Sequence, residues 1–342
     1  MRIAVGMSGG VDSSAAAALL CRQHEVTGIT LSLCGENTAD ARDAKLVCDK
    51  LGIEHHLLDF KSEFKTRVIE NFIDEYIKGR TPNPCIQCNR HIKFGVMMAA
   101  AEKLGCDKIA TGHYAQIEYS GGRYWLKKAA DTTKDQSYVL YCLTQEQLAK
   151  TVLPLGAYTK AQIREISEKS GLITAHKSDS QDICFVPDGD YAAFIEKTMG
   201  IKFPAGDYVN QNGAVIGRHK GVIHYTVGQR KGLGIAMGHP VFVTAKDAEK
   251  NLVTIGEEEE LFYSKVLVED VNLIADLKDD TRAAAKLRYR HSEQPCVIHR
   301  IGEREVLLEF QKPQRAPACG QSAVFYDGEY VLGGGIIVKG IK

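Results

Sequence analysis

Residues 2–20 read RIAVGMSGGVDSSAAAALL, and three textures succeed one another within them. Arg2–Gly6 is a short apolar run, Ser8–Gly10 lies in a glycine-rich turn, and the alanine-rich remainder suits a helix. The pattern repeats outward. Val26–Leu33 is strand-like, Ala39–Leu51 is helical with Gly52 as a left-handed stop, and Ile53–Phe60 returns to strand. Strands alternating with helices of this length predict an α/β fold, a parallel sheet with helices on both faces.

Ser62–Gly79 and Ile92–Gly105 carry two further helical patterns. Between them lies RTPNPCIQCNR (80–90), whose two prolines predict a rigid, extended segment. Lys108–Thr111 resumes a strand, and Ile117–Tyr119 with Arg123–Leu126 reads as a hairpin. Thr159–Lys169 is a helix opened by a capping box of Thr159 with Gln162. From about Ile201 helical periodicity fades and short β-rich runs such as VFVTA, KVLVEDVNLI and EVLLEF take over. The expected organisation is an α/β unit at 1–200, a small β-rich unit at 201–260 and a C-terminal β-barrel at 261–342.

The chain of 342 residues is 44% apolar and 25% charged, which suits a globular protein and excludes disorder, collagen and coiled coil. Lys+Arg 43 against Asp+Glu 43 leaves no net charge, so a nucleic-acid surface has to be a local patch. No apolar run approaches the roughly 20 residues of a membrane helix, and no membrane association is expected. The first strand begins at Arg2, so no secretory signal is expected. Ten cysteines are too few for a disulfide scaffold, so reduced thiols and a cytoplasmic location are expected.

Ser8-Gly9-Gly10-Val11-Asp12-Ser13-Ser14 joins the first strand to the first helix. Glycines there let the backbone approach a ligand, and the free amides and dipole of the helix start favour an anion. Asp12 is suited to hold Mg²⁺ beside phosphates. The loop has no Gly-Lys-Ser/Thr ending and does not fit G-x-G-x-x-G. It resembles the SGGxDS loop of the N-type ATP pyrophosphatases, which implies cleavage of ATP between its α and β phosphates.

Cys85 and Cys88 form a C-x-x-C beside Arg90 and His91, where a helix start and positive charge predict lowered thiol pKa values. No second close pair exists to complete a zinc site. By spacing alone Cys184 reads as a half-buried apolar residue. Cys21, Cys48, Cys106 and Cys142 fall in helix or strand patterns and read as packing residues, and Cys34, Cys296 and Cys319 receive no role.

Taken in order, SGGVDSS, RTPNPCIQCNRHIKFG, ATGHY, KDQSYVLY, SQDICF, HYTVGQRKGLG, LRYR and CGQSAVFYDG resemble the bacterial and mitochondrial tRNA-specific 2-thiouridylase family over nearly the whole chain. The resemblance implies a Rossmann-like ATP pyrophosphatase domain, a small β-rich domain and a tRNA-binding barrel. It implies adenylation of the 2-carbonyl oxygen of the wobble uridine, then displacement of AMP by sulfur. It assigns the nucleophile to Cys88, a persulfide to Cys184, and ATP contacts to Gly6, Met7, Ser8, Gly9, Gly10, Val11, Asp12 and Ser13, with Leu31 and Gly112. Contacts with the target base fall on Asn83, Pro84 and Cys85. Further tRNA contacts fall on His113, Lys134, Asp135, Gln136, Arg288, Tyr289 and Gln321. The partners implied are tRNA and a sulfur donor protein or sulfide, and the chain is expected to act as a monomer.

The sequence departs from many members at Cys85, where they carry Asp, and at Leu31, where Met is common. The segment after Cys34 is also short. Cys85, Cys88 and Cys184 together make a second sulfur route conceivable, a 4Fe-4S cluster with one open iron, and the sequence leaves it beside the persulfide route. Between Tyr208 and Lys246 there is no Asp or Glu, while Arg218, Lys220, Arg230, Lys231 and Lys246 are present. This is a local basic face of the kind that follows phosphates, with Tyr208 and Tyr225 as candidate stacking rings. Two other functions share part of this pattern. A different pyrophosphatase-type synthetase needs no paired cysteines, and a non-catalytic iron–sulfur or redox-sensing RNA-binding protein needs no Asp12.

Overall fold

The computed structural model describes residues 1–35, 38–177 and 182–342; Ser180 and Gln181 of the SQDICF string lie outside the described residues. Strand Arg2–Gly6 occupies the middle of a five-stranded sheet. The order across it is Glu54–Asp59, Glu25–Ser32, Arg2–Gly6, Lys108–Ala110 and Thr151–Val152, with every neighbouring pair parallel. The chain leaves the central strand in one direction and returns on its other side. That reversal opens a crevice at the carboxyl ends of Arg2–Gly6 and Lys108–Ala110, the usual ligand position in open α/β sheets.

Helices cover both faces. Helix Val11–Leu20 packs Ala15, Ala16 and Ala17, all fully buried, against Ile3, Val5, Val26 and Ile163. Its small side chains bring the helix close to the sheet. On the other face Phe94, Met97, Met98 and Ala101 pack against Ala4, Ile29 and Ile109.

Two β units follow. A four-stranded sheet has the order Phe242–Asp247, Leu252–Gly256, Gly206–Val209, Val215–His219. The strands Phe262–Leu273, Val306–Arg315, Gln294–Arg300, Thr281–Lys286, Ser322–Asp327 and Tyr330–Ile341 then close on themselves as a six-stranded barrel, the first pairing with the last. Closure leaves no free edge within the ring. The hairpin Gln116–Ser120/Arg123–Lys127 forms as expected, but it joins the barrel sheet, Lys127 pairing with Tyr330.

One local expectation fails. The segment 80–90 is extended only up to Asn83, and a helix begins at Pro84. Proline at the first helical position lacks only an amide hydrogen that would have had no partner there, and its fixed φ favours the start. The Asn83 side chain accepts from the Cys85 amide at 3.1 Å and caps the helix. Pro84–Gln87 passes into a π-helical stretch, Cys88–Val96, and then into α-helix Met97–Lys103.

Candidate active site

The glycine-rich turn is held by its own serines. The Ser8 amide donates to Ser13 Oγ at 3.1 Å, and Ser14 Oγ donates to the Gly10 carbonyl at 2.8 Å. Gly9 has φ +69°, and a Cβ there would lie 2.4 Å from the Asp40 carbonyl oxygen, so this position admits only glycine. Gly112, just past strand Lys108–Ala110, is also required. A Cβ on it would lie 2.8 Å from the Asp12 carbonyl carbon. The crevice wall and the turn therefore touch backbone to backbone.

Asp12 sits in the first turn of its helix with Tyr114 Oη at 2.8 Å and Lys160 Nζ at 2.7 Å, both donating to Oδ1. Lys177 Nζ donates to the Gly9 carbonyl at 2.9 Å and pairs with Asp43 at 2.7 Å. Two ammonium groups thus flank a loop of backbone amides, an arrangement that favours a polyphosphate. Sequence reading passed over Lys160 and Lys177. Lys160 stood in plain view as the first residue after the Thr159 cap.

Cys85 and Cys88 lie on the helical segment that begins at Pro84, and Cys184 lies in the stretch before helix Tyr191–Met199. Cys88 is buried, whereas Cys85 and Cys184 are exposed at the surface. Cys88 and Cys184 each lie within electrostatic reach of the other, of Cys85 and of Cys34. Cys34 also packs against the apolar cluster around Cys88, together with Ile183, although no motif marked it. The lowered pKa values expected here are reversed. Desolvation by the surrounding protein pushes Cys88 up to about 11 and Cys184 to about 12, and it raises Cys85 as well. Lys93 opposes the rise at all three. Among the described residues no group of three or more His, Cys, Asp and Glu is placed to hold a metal ion.

Several residues singled out for RNA contact have internal partners. His113 is buried, with Thr111 Oγ1 2.7 Å from its Nδ1 and Lys93 Nζ 3.4 Å from its Nε2. Asp135 accepts from the Ala129 and Ser137 amides at 3.0 and 3.2 Å, and Gln136 Oε1 accepts from the Tyr114 amide at 2.8 Å. Arg288 donates to the carbonyls of Val227 and Ala316, both at 3.0 Å, tying the barrel to the preceding unit. Gln321 donates to the Thr81 carbonyl at 2.7 Å while the Thr81 amide donates to Cys319, also on the barrel, at 2.8 Å. The segment leading into Cys85 is thereby fixed to the barrel. Tyr289 is 40% exposed, stands edge-on to Tyr138 and lies within electrostatic reach of Cys85. Lys134 sits in the turn that ends at Asp135, its amide donating to Asp131.

In the basic stretch, Arg218, Lys220, Arg230 and Lys231 are exposed. Tyr208 and Tyr225 are not available for stacking. Both are buried, Tyr208 Oη donating to the Leu233 carbonyl at 2.7 Å, because the small unit uses these rings as its core. Lys246 is also turned inward, donating to the Tyr225 carbonyl at 2.7 Å.

Three family models match in succession: a tRNA methyl transferase HUP domain over residues 1–188, a tRNA methyl transferase PRC-barrel domain over 192–257 and an aminomethyltransferase beta-barrel domain over 263–337. The tRNA-specific 2-thiouridylase MnmA of Lachnoclostridium phytofermentans is 46% identical over 99% of this chain and 99% of its own. The protein of the same name from Treponema denticola is 48% identical over 98% of each. Among solved structures, the U34-tRNA thiolase NcsA from Methanococcus maripaludis with its 4Fe-4S cluster is 21% identical over 58% of this chain and 67% of its own. Its TM-score of 0.37 is too low a likeness to argue from.

Proposed function

Because the chain belongs to the tRNA-specific 2-thiouridylase family, we propose that it adenylates the wobble uridine of tRNA and replaces the activated oxygen by sulfur, as a tRNA-uridine 2-sulfurtransferase. The reading is carried by the dipeptide Gly112-His113. Gly112 lies against Asp12 of the phosphate loop, and His113 reaches Lys93 of the thiol group. Phosphate chemistry and sulfur chemistry are thus one residue apart.

The uridine 2-oxygen attacks the α-phosphorus of ATP, and pyrophosphate leaves into the loop, where the amides of residues 8–13 with Lys160 and Lys177 receive its charge. Asp12, whose side chain is one-third exposed, fits Mg²⁺ by its hard carboxylate oxygen. The ion would neutralise the polyphosphate as the bond breaks. A donor persulfide first passes its outer sulfur to the Cys184 thiol and leaves as a thiol; the terminal sulfur of the Cys184 persulfide then attacks C2, a C–S bond forms, and AMP departs with the C–O electron pair. Cys88 attacks Cys184 Sγ and breaks the S–S bond, which leaves 2-thiouridine and a Cys88–Cys184 disulfide. A thiol reductant restores both. The mutual proximity of Cys88 and Cys184 supports this route, and no step is assigned to a cluster.

Residues 1–200 would carry the chemistry, with 201–260 and 261–342 holding the RNA. Tyr289, exposed near Cys85, suits a base that leaves its stack. Arg288 and Gln321 would serve by fixing the barrel to the thiol helix. The test is incubation with unmodified tRNA, ATP, Mg²⁺ and a persulfide donor such as glutathione persulfide, whose outer sulfur passes to Cys184 as glutathione leaves. Nucleoside mass spectrometry should find 2-thiouridine, with AMP and pyrophosphate released in equal amounts. Release of ADP and phosphate instead would overturn the reading.

A further inference from the structure

We propose that Lys93 is a positioning residue for sulfur: its ammonium is the fixed positive charge against which an anionic sulfur species is held beside Cys88 and Cys184. The inference rests on the sulfur-transfer reading above.

Lys93 and Cys88 belong to the same π-helical stretch, Cys88–Val96. At 3.6 residues per turn, positions five apart diverge, whereas a π turn closes i to i+5 and brings them onto one face. Such turns inside helices frequently mark functional sites. The local winding therefore aims Lys93 along the side that bears Cys88. Its field reaches Cys85, Cys88 and Cys184 alike, and in each case it opposes the effect of burial.

Among the described residues the ammonium is anchored but not neutralised. Its hydrogen-bond partner is His113 Nε2 at 3.4 Å. Burial and the neighbouring Lys93 drive the His113 pKa well below its ordinary value, so the ring is neutral. With its proton on Nδ1, donated to Thr111 Oγ1 at 2.7 Å, the ring offers Nε2 as an acceptor. Among the described residues no carboxylate pairs with Lys93. A half-buried cation set among thiols and held by a neutral ring carries charge that an incoming anion would complete. Hydrosulfide and the terminal sulfur of a persulfide are such anions. Bound there, the sulfur can attack C2 of the adenylated base as the C–O bond to AMP breaks.

Sodium sulfide is the probe, titrated against wild type, Lys93→Met and Lys93→Arg with tRNA and ATP. Lys93→Met should raise the half-saturating sulfide concentration roughly tenfold or more, the scale of one charge-assisted contact. It should change first-turnover pyrophosphate release by less than about twofold, the mark of an interaction confined to the sulfur step. Lys93→Arg should recover most of the loss. An unaltered sulfide dependence in Lys93→Met, or an Arg variant no better than Met, overturns the assignment. If pyrophosphate release falls with thiolation, Lys93 is structural and the assignment also fails. A wild-type protein that forms no 2-thiouridine with either sulfide or a persulfide donor removes the functional reading itself.

Discussion

Replacing Gly112 with alanine puts the contact between crevice wall and phosphate loop under direct strain. The new Cβ would stand 2.8 Å from the Asp12 carbonyl carbon and 2.9 Å from the Ser13 amide nitrogen. Carbon atoms pack at about 3.5–4.0 Å, so one backbone has to retreat by roughly 0.7 Å. No rotamer change relieves this, since both atoms are main chain. The retreat is also resisted, because Tyr114 and Lys160 hold Asp12 by hydrogen bonds of 2.8 and 2.7 Å. Misplacement of reacting groups by about 1 Å costs on the order of 100-fold in rate. Pyrophosphate release with tRNA present should therefore fall by roughly 10- to 100-fold, and overpacking should cost about 1–3 kcal/mol in a denaturant titration. Gly302→Ala, on the barrel, is the control. Its added Cβ meets nothing nearer than the exposed Glu305 side chain, at 3.2 Å, which can give way. If the two variants release pyrophosphate at the same rate, the backbone contact does not position the loop and the reasoning fails.

Supplied with a persulfide donor and no free sulfide, Cys184→Ala should still release pyrophosphate with tRNA but yield no 2-thiouridine, while Asp12→Ala should lose both; thiolation by Cys184→Ala from that donor would refute the persulfide assignment. Iodoacetamide should label Cys85 and Cys184 before Cys48, Cys106, Cys142 and Cys296, which are buried. Since Cys184 is pushed up to about 12, its labelling rate should keep climbing through pH 9 and 10; peptide mass spectrometry showing a plateau near pH 8.5 would contradict this. Burial lowers Lys246 to about 8, so the unfolded chain binds more protons between about pH 8 and 10.4. Relative to Lys246→Met, the wild type should gain stability through that window by on the order of 3 kcal/mol, read as the difference between their denaturant titrations. A flat difference would show that Lys246 stays charged and solvated.

The parallel sheet was legible because its strands and helices are local, with periodicities of two distinct kinds. The capping box at Thr159 was equally local, its two reciprocal bonds forming within four residues. Pro84 misled because proline carries opposite meanings inside a helix and at its first turn, and only the Asn83 cap decides between them. Tyr208 and Tyr225 misled for a different reason. An aromatic ring in a basic stretch is drawn from the same alphabet as a small core, and only the fold shows which face it takes. The thiol pKa values reversed because charge along the sequence is visible and desolvation is not.

The same distinction explains why Lys160, Lys177, Lys93 and Cys34 escaped notice. Lys160, Lys177 and Cys34 meet their neighbours across tertiary contacts, and Lys93 comes onto the side of Cys88 only through a π turn that no sequence period announces. Lys160 reaches Asp12 over 148 positions and Lys177 reaches Gly9 over 168. The barrel is joined to the site at a comparable range, through Gln321 on Thr81. That bond gives the C-terminal unit a mechanical connection to chemistry it does not touch. Thr81 is held by the barrel through both its carbonyl and its amide, and two residues later Asn83 caps the helix that carries Cys85 and Cys88. The link consists of one side-chain bond, Gln321 to the Thr81 carbonyl, and one main-chain bond, the Thr81 amide to Cys319. On the proposed reading, RNA held by the barrel would be linked to the thiols through these two bonds, and it is at them that the strings CGQSAVFYDG and RTPNPCIQCNR meet.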